Sequence, residues 1–227
     1  MRLRIASYNI HKAVGLDRRR DPARILEVLN EIAADVVVLQ EVDRRLGARP
    51  SALPRFLIEQ ETDYAVVDLA RNDVSLGWHG NAVLVRPGLA IGDVAHIDLP
   101  GLEPRGAVRI DVDGGLTVVG THLGLLRPWR IRQQRAIRDA VDARASRTVI
   151  AGDFNEWAVR TGFEPWDGVF DVQTPGRSFH TARPIAPLDR FALGKKLRLH
   201  GAGVVRQGAA RVASDHLPVW ADVEVSG

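Results

Sequence analysis

The sequence predicts an α/β fold in which two stacked β-sheets are flanked by helices. One observation is that residues 1–39 show a strand, a helix and a second strand in succession. Another is that the rest of the chain alternates short strands and turns and contains few helices. The 227 residues also show no internal repeat and no obvious linker, so we expect one domain over residues 1–227.

The first strand, helix and strand are each supported by local sequence signals. Residues 3–9 are typical of a strand, and Asp21-Pro22 supplies an N-cap and a first-turn proline for a helix that runs to Ile32. Residues 36–39 form the apolar run of a buried strand. Polar side chains follow both strands, and the ends of strands are where α/β proteins build their sites.

Short strands and two further helices are predicted along the rest of the chain. A helix follows Pro54, and a second one is predicted over residues 129–144. Its apolar face would contain Ile137, Ala140 and Val141, with the arginines on a solvated face. The turn Asp113-Gly114-Gly115 predicts a hairpin. The predicted strands are residues 64–68, 82–86, 107–112, 116–121, 148–151 and 219–225.

Composition limits the chemistry. The chain has no cysteine, which excludes disulfides, thiolate metal sites and a cysteine nucleophile. A net charge of +3 does not by itself indicate a nucleic-acid partner. The amino terminus lacks the apolar core of a signal peptide, and no run approaches the length of a membrane-spanning helix. We therefore expect a cytoplasmic monomer with no transmembrane segment.

One group of candidate functional residues follows the apolar strand at residues 148–151. The strand stops at Gly152, and the loop then presents Asp153 and Asn155 on the same side. A turn capped by Asp153 explains the same pattern equally well.

A second group is Ser214-Asp215-His216, just before the last strand. Adjacent side chains point apart, so Asp215 and His216 would serve different tasks, one binding a metal and the other moving a proton. In isolation, a turn with a half-exposed histidine is the commoner account. His122 and Asp189 at other strand ends are ambiguous in the same way. Five separate strand ends nevertheless carry the polar groups that one reaction would need.

Seven short motifs together resemble the endonuclease/exonuclease/phosphatase superfamily, in the order in which that family has them. The resemblance spans nearly the whole chain, and it implies a four-layer α/β sandwich of two mixed sheets packed face to face with helices outside. The motifs are Ser7-Tyr8-Asn9-Ile10, Leu39-Gln40-Glu41-Val42, Gly80-Asn81-Ala82-Val83-Leu84, Thr121-His122-Leu123, Gly152-Asp153-Phe154-Asn155, Leu188-Asp189 and Ser214-Asp215-His216.

The resemblance also implies a metal and a phosphate site. Glu41 would be the main ligand of a divalent cation, with Asn9 and Asp215 close enough to bind it directly or through water. Such hard oxygen ligands suit Mg²⁺ or Mn²⁺. Arg105 would contact the substrate phosphate, and Asn81 would shape the pocket beside it.

The remaining roles implied by the resemblance concern the attacking water. His216 would take its proton while Asp189 holds the imidazole in the useful tautomer, and Asp153 would orient the water. Asn155 and His122 would donate hydrogen bonds to the non-bridging phosphate oxygens as charge accumulates.

Two positions depart from the family's base-excision nucleases. His11 stands where those nucleases have an acidic residue, and His122 stands where they have tyrosine. Both differences weaken an assignment to abasic-site repair. The short loops argue mildly in the same direction. Trp78, Trp157 and Trp166 fall in segments that could rim the site, and His79 is a candidate rim residue.

The resulting expectation is a divalent-metal-dependent phosphoester hydrolase of the phosphodiesterase, nuclease or phosphatase type. Its substrate would be a nucleic acid, a phospholipid head group or a small phosphoester. The alternative is a catalytically inactive module of the same fold that binds phosphate or nucleic acid.

Overall fold

The computed structural model describes residues 1–44, 47–112 and 114–226. Asp113 of the predicted hairpin turn lies outside this part of the chain. Within it, the strands in chain order are β1 Arg2–Asn9, β2 Val36–Gln40, β3 Ala65–Val66, β4 Ala82–Val85, β5 Ile91–Leu99, β6 Arg105–Val112, β7 Leu116–His122, β8 Thr148–Asp153, β9 Phe170–Gln173, β10 Asp189–Gly194, β11 Leu197–Val204 and β12 Val219–Val225. The α-helices are α1 Pro22–Ile32, α2 Arg55–Glu61 and α3 Arg127–Ala140.

The first sheet has the strand order β11-β12-β1-β2-β4-β3. Strand β1 runs parallel to β2 and antiparallel to β12, so the sheet is mixed. Helix α1 begins as the sequence predicts, because the side chain of Asp21 accepts a hydrogen bond from the backbone N–H of Ala23. The apolar faces of α1 and α2 pack on one side of this sheet around Leu29, Leu39 and Ile58.

The second sheet has the strand order β5-β6-β7-β8-β10-β9. It is also mixed, since β7 is parallel to β8 and the other neighbours are antiparallel. Helix α3 covers its outer face, where Ile137 packs with Ile150, Phe154 and Trp166.

The inner faces of the two sheets pack directly against each other. Ile5 and Val38 of the first sheet share one apolar core with Val118 and Phe191 of the second. At Gly120 the sheets lie so close that a Cβ atom would be 2.6 Å from Cγ1 of Val38. The layers are therefore helix, sheet, sheet and helix, which confirms the predicted four-layer sandwich.

Several element predictions need correction. The strand predicted over residues 64–68 is only the two residues of β3, and β5 was not predicted at all. Helix α3 ends at Ala140, whose side chain is exposed rather than on the apolar face. Arg130 is buried on that helix, so the arginines do not all lie on a solvated face. None of the helices in the described ranges is long and apolar enough to cross a membrane.

Candidate active site

Sheet register brings the polar strand ends of the sequence motifs together. In the first sheet, Asn9 at the end of β1 lies beside Gln40 at the end of β2. In the second, His122 at the end of β7 pairs with Asp153 at the end of β8, and Asp153 pairs with Asp189 at the start of β10. Parallel neighbours end at the same edge, so the motifs meet at one edge of the sandwich.

Asp153 is placed by a close approach of strands β7 and β8. The preceding residue, Gly152, has a φ of 157°, and a Cβ atom there would lie 1.9 Å from the carbonyl oxygen of Thr121. Only glycine therefore fits at this position. The strand can then deliver the Asp153 carboxylate, which is 2% exposed, to the junction of the two sheets.

The two oxygens of Asp153 have different surroundings. Oδ1 accepts the backbone N–H of Asn155 at 2.9 Å, which is the capped turn that the sequence also allowed. Oδ2 accepts Nδ2 of Asn9 at 3.1 Å and lies 3.3 Å from Nε2 of His122 and 3.7 Å from Nε2 of His216. The turn and a polar site therefore coexist, because each uses a different oxygen.

His216 lies between two carboxylates. Its Nδ1 is 2.8 Å from Oδ2 of Asp189, and its Nε2 faces Asp153. The hydroxyl of Ser178 donates to the same Asp189 oxygen at 2.5 Å, and the ring of Phe179 packs against the imidazole at 4.9 Å between centroids. The imidazole is therefore held at one nitrogen and by one face, which fixes the direction of the other nitrogen.

This arrangement shifts two pKa values. Burial alone would lower the pKa of His216, but the charges of Asp189 and Asp153 raise it to about 10. Burial raises the pKa of Asp153, against the opposing charge of His216. The chain alone thus favours an imidazolium between the two aspartates at neutral pH.

Asp153, Asp189 and His216 also satisfy a geometric condition for metal binding. One potential ligand atom from each lies within 4.8 Å of the others, and no other such group of three occurs among the described residues. Glu41 and Asp215, the carboxylates expected to bind metal, are not members of this cluster. The short Asp189–His216 contact is that of a hydrogen bond, so the cluster alone does not identify a metal position.

Glu41 forms an ion pair with a lysine side chain of the same chain. The ammonium of Lys12 forms an ion pair with the Glu41 carboxylate. Lys12 reaches it from a turn in which His11, Lys12 and Ala13 all have positive φ, at 45°, 57° and 57°. Left-handed backbone is unfavourable for such residues and persists where surrounding contacts enforce it. Nδ1 of His11 in the same turn lies 3.8 Å from Asp215.

A cavity of about 320 Å³ lies beside the buried cluster. Glu41, Arg105 and His122 line it, and so does the candidate rim residue His79. The guanidinium of Arg105 is held by Glu103 at 2.7 Å. His122 both lines the cavity and faces Asp153, so it links the two parts of the site.

Two amide side chains assigned to the site are committed to backbone carbonyls. Nδ2 of Asn81 donates to Gly106 at 3.0 Å and so supports the start of the strand that carries Arg105. Nδ2 of Asn155 donates to Leu123 at 2.8 Å, which leaves its second amide hydrogen for another acceptor.

The three tryptophans separate into core and surface. Trp166 is fully buried under α3, and Trp78 is buried with its ring against His79. Only Trp157 is open to solvent, at 57% exposure, and its edge lies against Phe179. Trp166 therefore does not rim the site.

Four residues at the site were not anticipated from the sequence. Ser178 and Phe179 contact the Asp189–His216 pair, and Lys12 contacts Glu41. Arg190 is fully buried, and its guanidinium donates to the backbone carbonyls of three loop residues after Asn155. Arg190 directly follows the Leu188-Asp189 motif, and Lys12 lies two residues after Ile10 of the first motif; this closeness is the only sequence signal that could have indicated them.

Comparison with known proteins finds relatives that match nearly the whole length of the chain. The chain is 25% identical to the uncharacterized protein YbhP of Escherichia coli K12, over 98% of this chain and 96% of that protein. D. rerio TDP2, solved with a single-strand DNA product, shares the fold with a TM-score of 0.75 at 16% identity, covering 99% of both chains. So does a mannosyl-6-phosphatase from Bacteroides thetaiotaomicron, with the same TM-score and identity, covering 98% of this chain and 99% of that one.

The sequence profile of the Endonuclease/Exonuclease/phosphatase family matches residues 6–216, a range that includes every motif at the site. This chain therefore belongs to the endonuclease/exonuclease/phosphatase family.

Proposed function

We propose that this protein is a divalent-metal-dependent phosphoester hydrolase in which His216 activates the attacking water. One observation carries the proposal: His216 is held at Nδ1 by buried Asp189 and directs Nε2 toward Asp153, which also faces His122 of the cavity wall. An imidazole whose second nitrogen is fixed by a carboxylate is the usual arrangement of a histidine general base.

The residues proposed to hold the metal fit a hard cation. Glu41, Asn9 and Asp215 offer only oxygen ligands of the kind that Mg²⁺ and Mn²⁺ prefer. The ion pair with Lys12 shows that a positive charge is accommodated at Glu41. A bound divalent cation would supply Lewis-acid stabilisation of charge on the phosphate.

The residues around Asp153 would prepare the water. Asp153 accepts one of its hydrogens and so points a lone pair at phosphorus, while Nε2 of the neutral His216 imidazole takes the other proton. The chain alone favours the imidazolium, and the positive charge of a bound cation would shift His216 toward this neutral form. Asp189 keeps Nδ1 protonated and stabilises the imidazolium that forms. No covalent intermediate with the chain is required, because the water attacks in line with the leaving oxygen.

The residues of the site that face the cavity would bind the substrate phosphate. His122 and the second amide hydrogen of Asn155 would donate to non-bridging oxygens, where negative charge grows in the transition state. Arg105 would add a positive charge from the cavity wall, kept in position by Glu103. Asn81 would act on Arg105 through the carbonyl of Gly106.

A specific observation favours the second candidate, an inactive module that binds phosphate-bearing partners. Lys12 neutralises Glu41, the residue proposed as the main metal ligand. If that ion pair persisted in the presence of metal, the cavity would remain a cationic pocket that binds phosphate without catalysis. Measuring metal binding directly separates the two candidates.

The proposal is tested with generic aryl phosphodiester and phosphomonoester substrates in Mg²⁺ or Mn²⁺, before and after chelation. We expect hydrolysis that is lost with chelator and restored by excess metal. Turnover that is indifferent to chelation would reject the metal-dependent mechanism. An absence of turnover together with metal-independent phosphate binding would favour the inactive module.

A further inference from the structure

Five large apolar side chains project into solvent from loops next to the site. They are between 53% and 63% exposed, whereas most large apolar side chains of the described residues are buried in the three cores. We call this set the apolar rim. It consists of Leu125, Leu126, Trp157, Val159 and Ile185.

Buried arginines fix the first two loops of the apolar rim to each other and to the sandwich. Arg130 donates to the carbonyl of Leu125 at 2.5 Å and forms an ion pair with Glu156 at 2.8 Å, just before Trp157. Arg190 donates to the carbonyl of Ala158 at 2.6 Å. With these backbones anchored, the outward side chains cannot turn inward to join a core.

Phe179 connects the third loop and the catalytic histidine. Its ring lies 6.1 Å from Trp157 on one side and 4.9 Å from His216 on the other, and its carbonyl accepts the backbone N–H of Ile185 at 2.7 Å. The apolar rim is therefore continuous with the wall of the active site.

The exposed charged side chains on these loops that lie within a few residues of the rim side chains and form no ion pair with another described residue are arginines. Glu156 is buried against Arg130, and Glu164 is paired with Arg127. Arg160 and Arg183 are exposed, and neither forms an ion pair with another described residue. Exposed apolar groups with unpaired arginines match an anionic lipid surface, where the apolar groups enter the interface and the arginines remain among the head groups.

Four of the five rim side chains are aliphatic, which favours a lipid bilayer over a nucleic acid as the binding partner. Proteins bind the bases of unpaired strands by stacking them on aromatic rings, and Trp157 is the one aromatic side chain among the five. Aliphatic side chains gain most by leaving water for an acyl boundary. The apolar rim therefore fits lipid better than bases.

We propose that the apolar rim docks this protein on an anionic phospholipid bilayer and presents phospholipid head groups to the site. The substrate class rests on the proposed hydrolase function, whereas the docking does not. Binding to the bilayer would bring the phosphoester at the lipid surface to His216 without a deep pocket for the acyl chains.

The experiment is co-sedimentation of the full chain, in chelator, with vesicles of phosphatidylcholine alone or mixed with phosphatidylglycerol. We expect binding to the mixed vesicles that is about tenfold stronger than to neutral ones and is weakened by salt. The double variant Leu125→Glu/Leu126→Glu should lose about tenfold or more of that binding. Phe56→Glu is the matched control, because Phe56 is also 57% exposed but lies on α2.

Folding and chemistry are monitored separately. The double variant should keep the circular dichroism and the soluble aryl phosphoester turnover of the wild type. If it does not fold, Ile185→Glu gives the same test from the third loop. If the wild type binds the mixed vesicles but shows no phosphoester turnover, the hydrolase proposal is rejected and the docking proposal is not.

Two results would overturn the docking proposal. One is a wild-type protein that does not sediment with mixed vesicles, or rim variants that sediment as well as the wild type. The other is binding of a single-stranded oligonucleotide that the rim variants lose while vesicle binding is unchanged. That result would assign the surface to nucleic acid.

Discussion

Nδ1 of His216 lies 2.8 Å from Oδ2 of Asp189, and both side chains are almost completely buried. The two residues come from different elements, since Asp189 begins β10 and His216 precedes β12. A buried charge is costly unless it is paired and hydrogen-bonded, and this contact meets both conditions. The pair therefore accounts for the position of His216 and for its shifted pKa.

Asp189→Asn tests the role of this contact. The amide keeps the shape but removes the charge that stabilises the imidazolium, so we expect kcat to fall by about 10²–10⁴ with little change in KM. The measurement is the initial rate on a soluble aryl phosphoester at saturating metal. Asp171→Asn, an exposed position on β9, is the control. An Asp189→Asn variant with wild-type kcat would show that the contact is structural only.

The raised pKa of His216 predicts a dependence of stability on pH. The folded state binds the proton more tightly than the unfolded chain, where histidine has a pKa near 6.5. The stabilisation is therefore fully present below about pH 6.5 and is lost as the pH rises toward about 10. In chelator, the Tm of the wild type should fall across this window more steeply than that of His216→Gln.

A domain of this size loses roughly 2–4 °C of Tm for each 1 kcal/mol, so the difference is measurable. His200→Gln controls for an unrelated histidine, since His200 pairs with Glu224 on the far strands β11 and β12. Parallel curves for the wild type and His216→Gln would contradict the pKa assignment.

The Lys12–Glu41 ion pair predicts that metal and lysine compete for one carboxylate. Lys12→Met removes the competing ammonium, and we expect Mn²⁺ affinity to rise by about tenfold, which corresponds to about 1.4 kcal/mol. Titration calorimetry measures the affinity without any substrate. Lys195→Met, exposed between β10 and β11, should leave it unchanged. Weaker binding in Lys12→Met would mean that Lys12 assists the metal site.

The buried position of Arg190 predicts that its substitution lowers the stability of the fold without removing a group that contacts the reacting atoms. Its guanidinium donates to the buried carbonyls of Pro187 and Glu156 and to the partly buried carbonyl of Ala158. Arg190→Leu would leave them without a donor, so we expect a loss of about 3 kcal/mol or more in the free energy of unfolding. Urea unfolding measures it. Arg198→Leu, exposed on β11, should change it by no more than about 0.5 kcal/mol.

Much of the fold follows from local sequence signals. The N-cap of Asp21 and the apolar run of β2 each act within a few residues, and each is found where it was predicted. The strand predicted to stop at Gly152 instead continues to Asp153 in β8. Strand β5 was missed because it is a sheet edge with a register shift between Ile91 and Val94. The shift breaks the alternation on which strand prediction depends.

Three candidate residues that lie close together in the structure could be selected from the sequence, but their contacts could not. Order along the chain indicated Asp153, Asp189 and His216, since each belongs to a motif. The ion pair of Lys12 with Glu41 depends on three left-handed residues in succession, which no propensity predicts. The burial of Arg130 was missed because its partner, Glu156, is 26 residues away.

The most direct test of the proposed mechanism is the rate of aryl phosphodiester and phosphomonoester hydrolysis by His216→Ala at saturating Mg²⁺ or Mn²⁺. His200→Ala is assayed beside it as the matched histidine control. If His216 activates the water, its removal lowers kcat on the preferred ester by at least about 100-fold, whereas His200→Ala retains the wild-type rate. A His216→Ala variant that is folded, binds metal and retains the wild-type rate would contradict the mechanism.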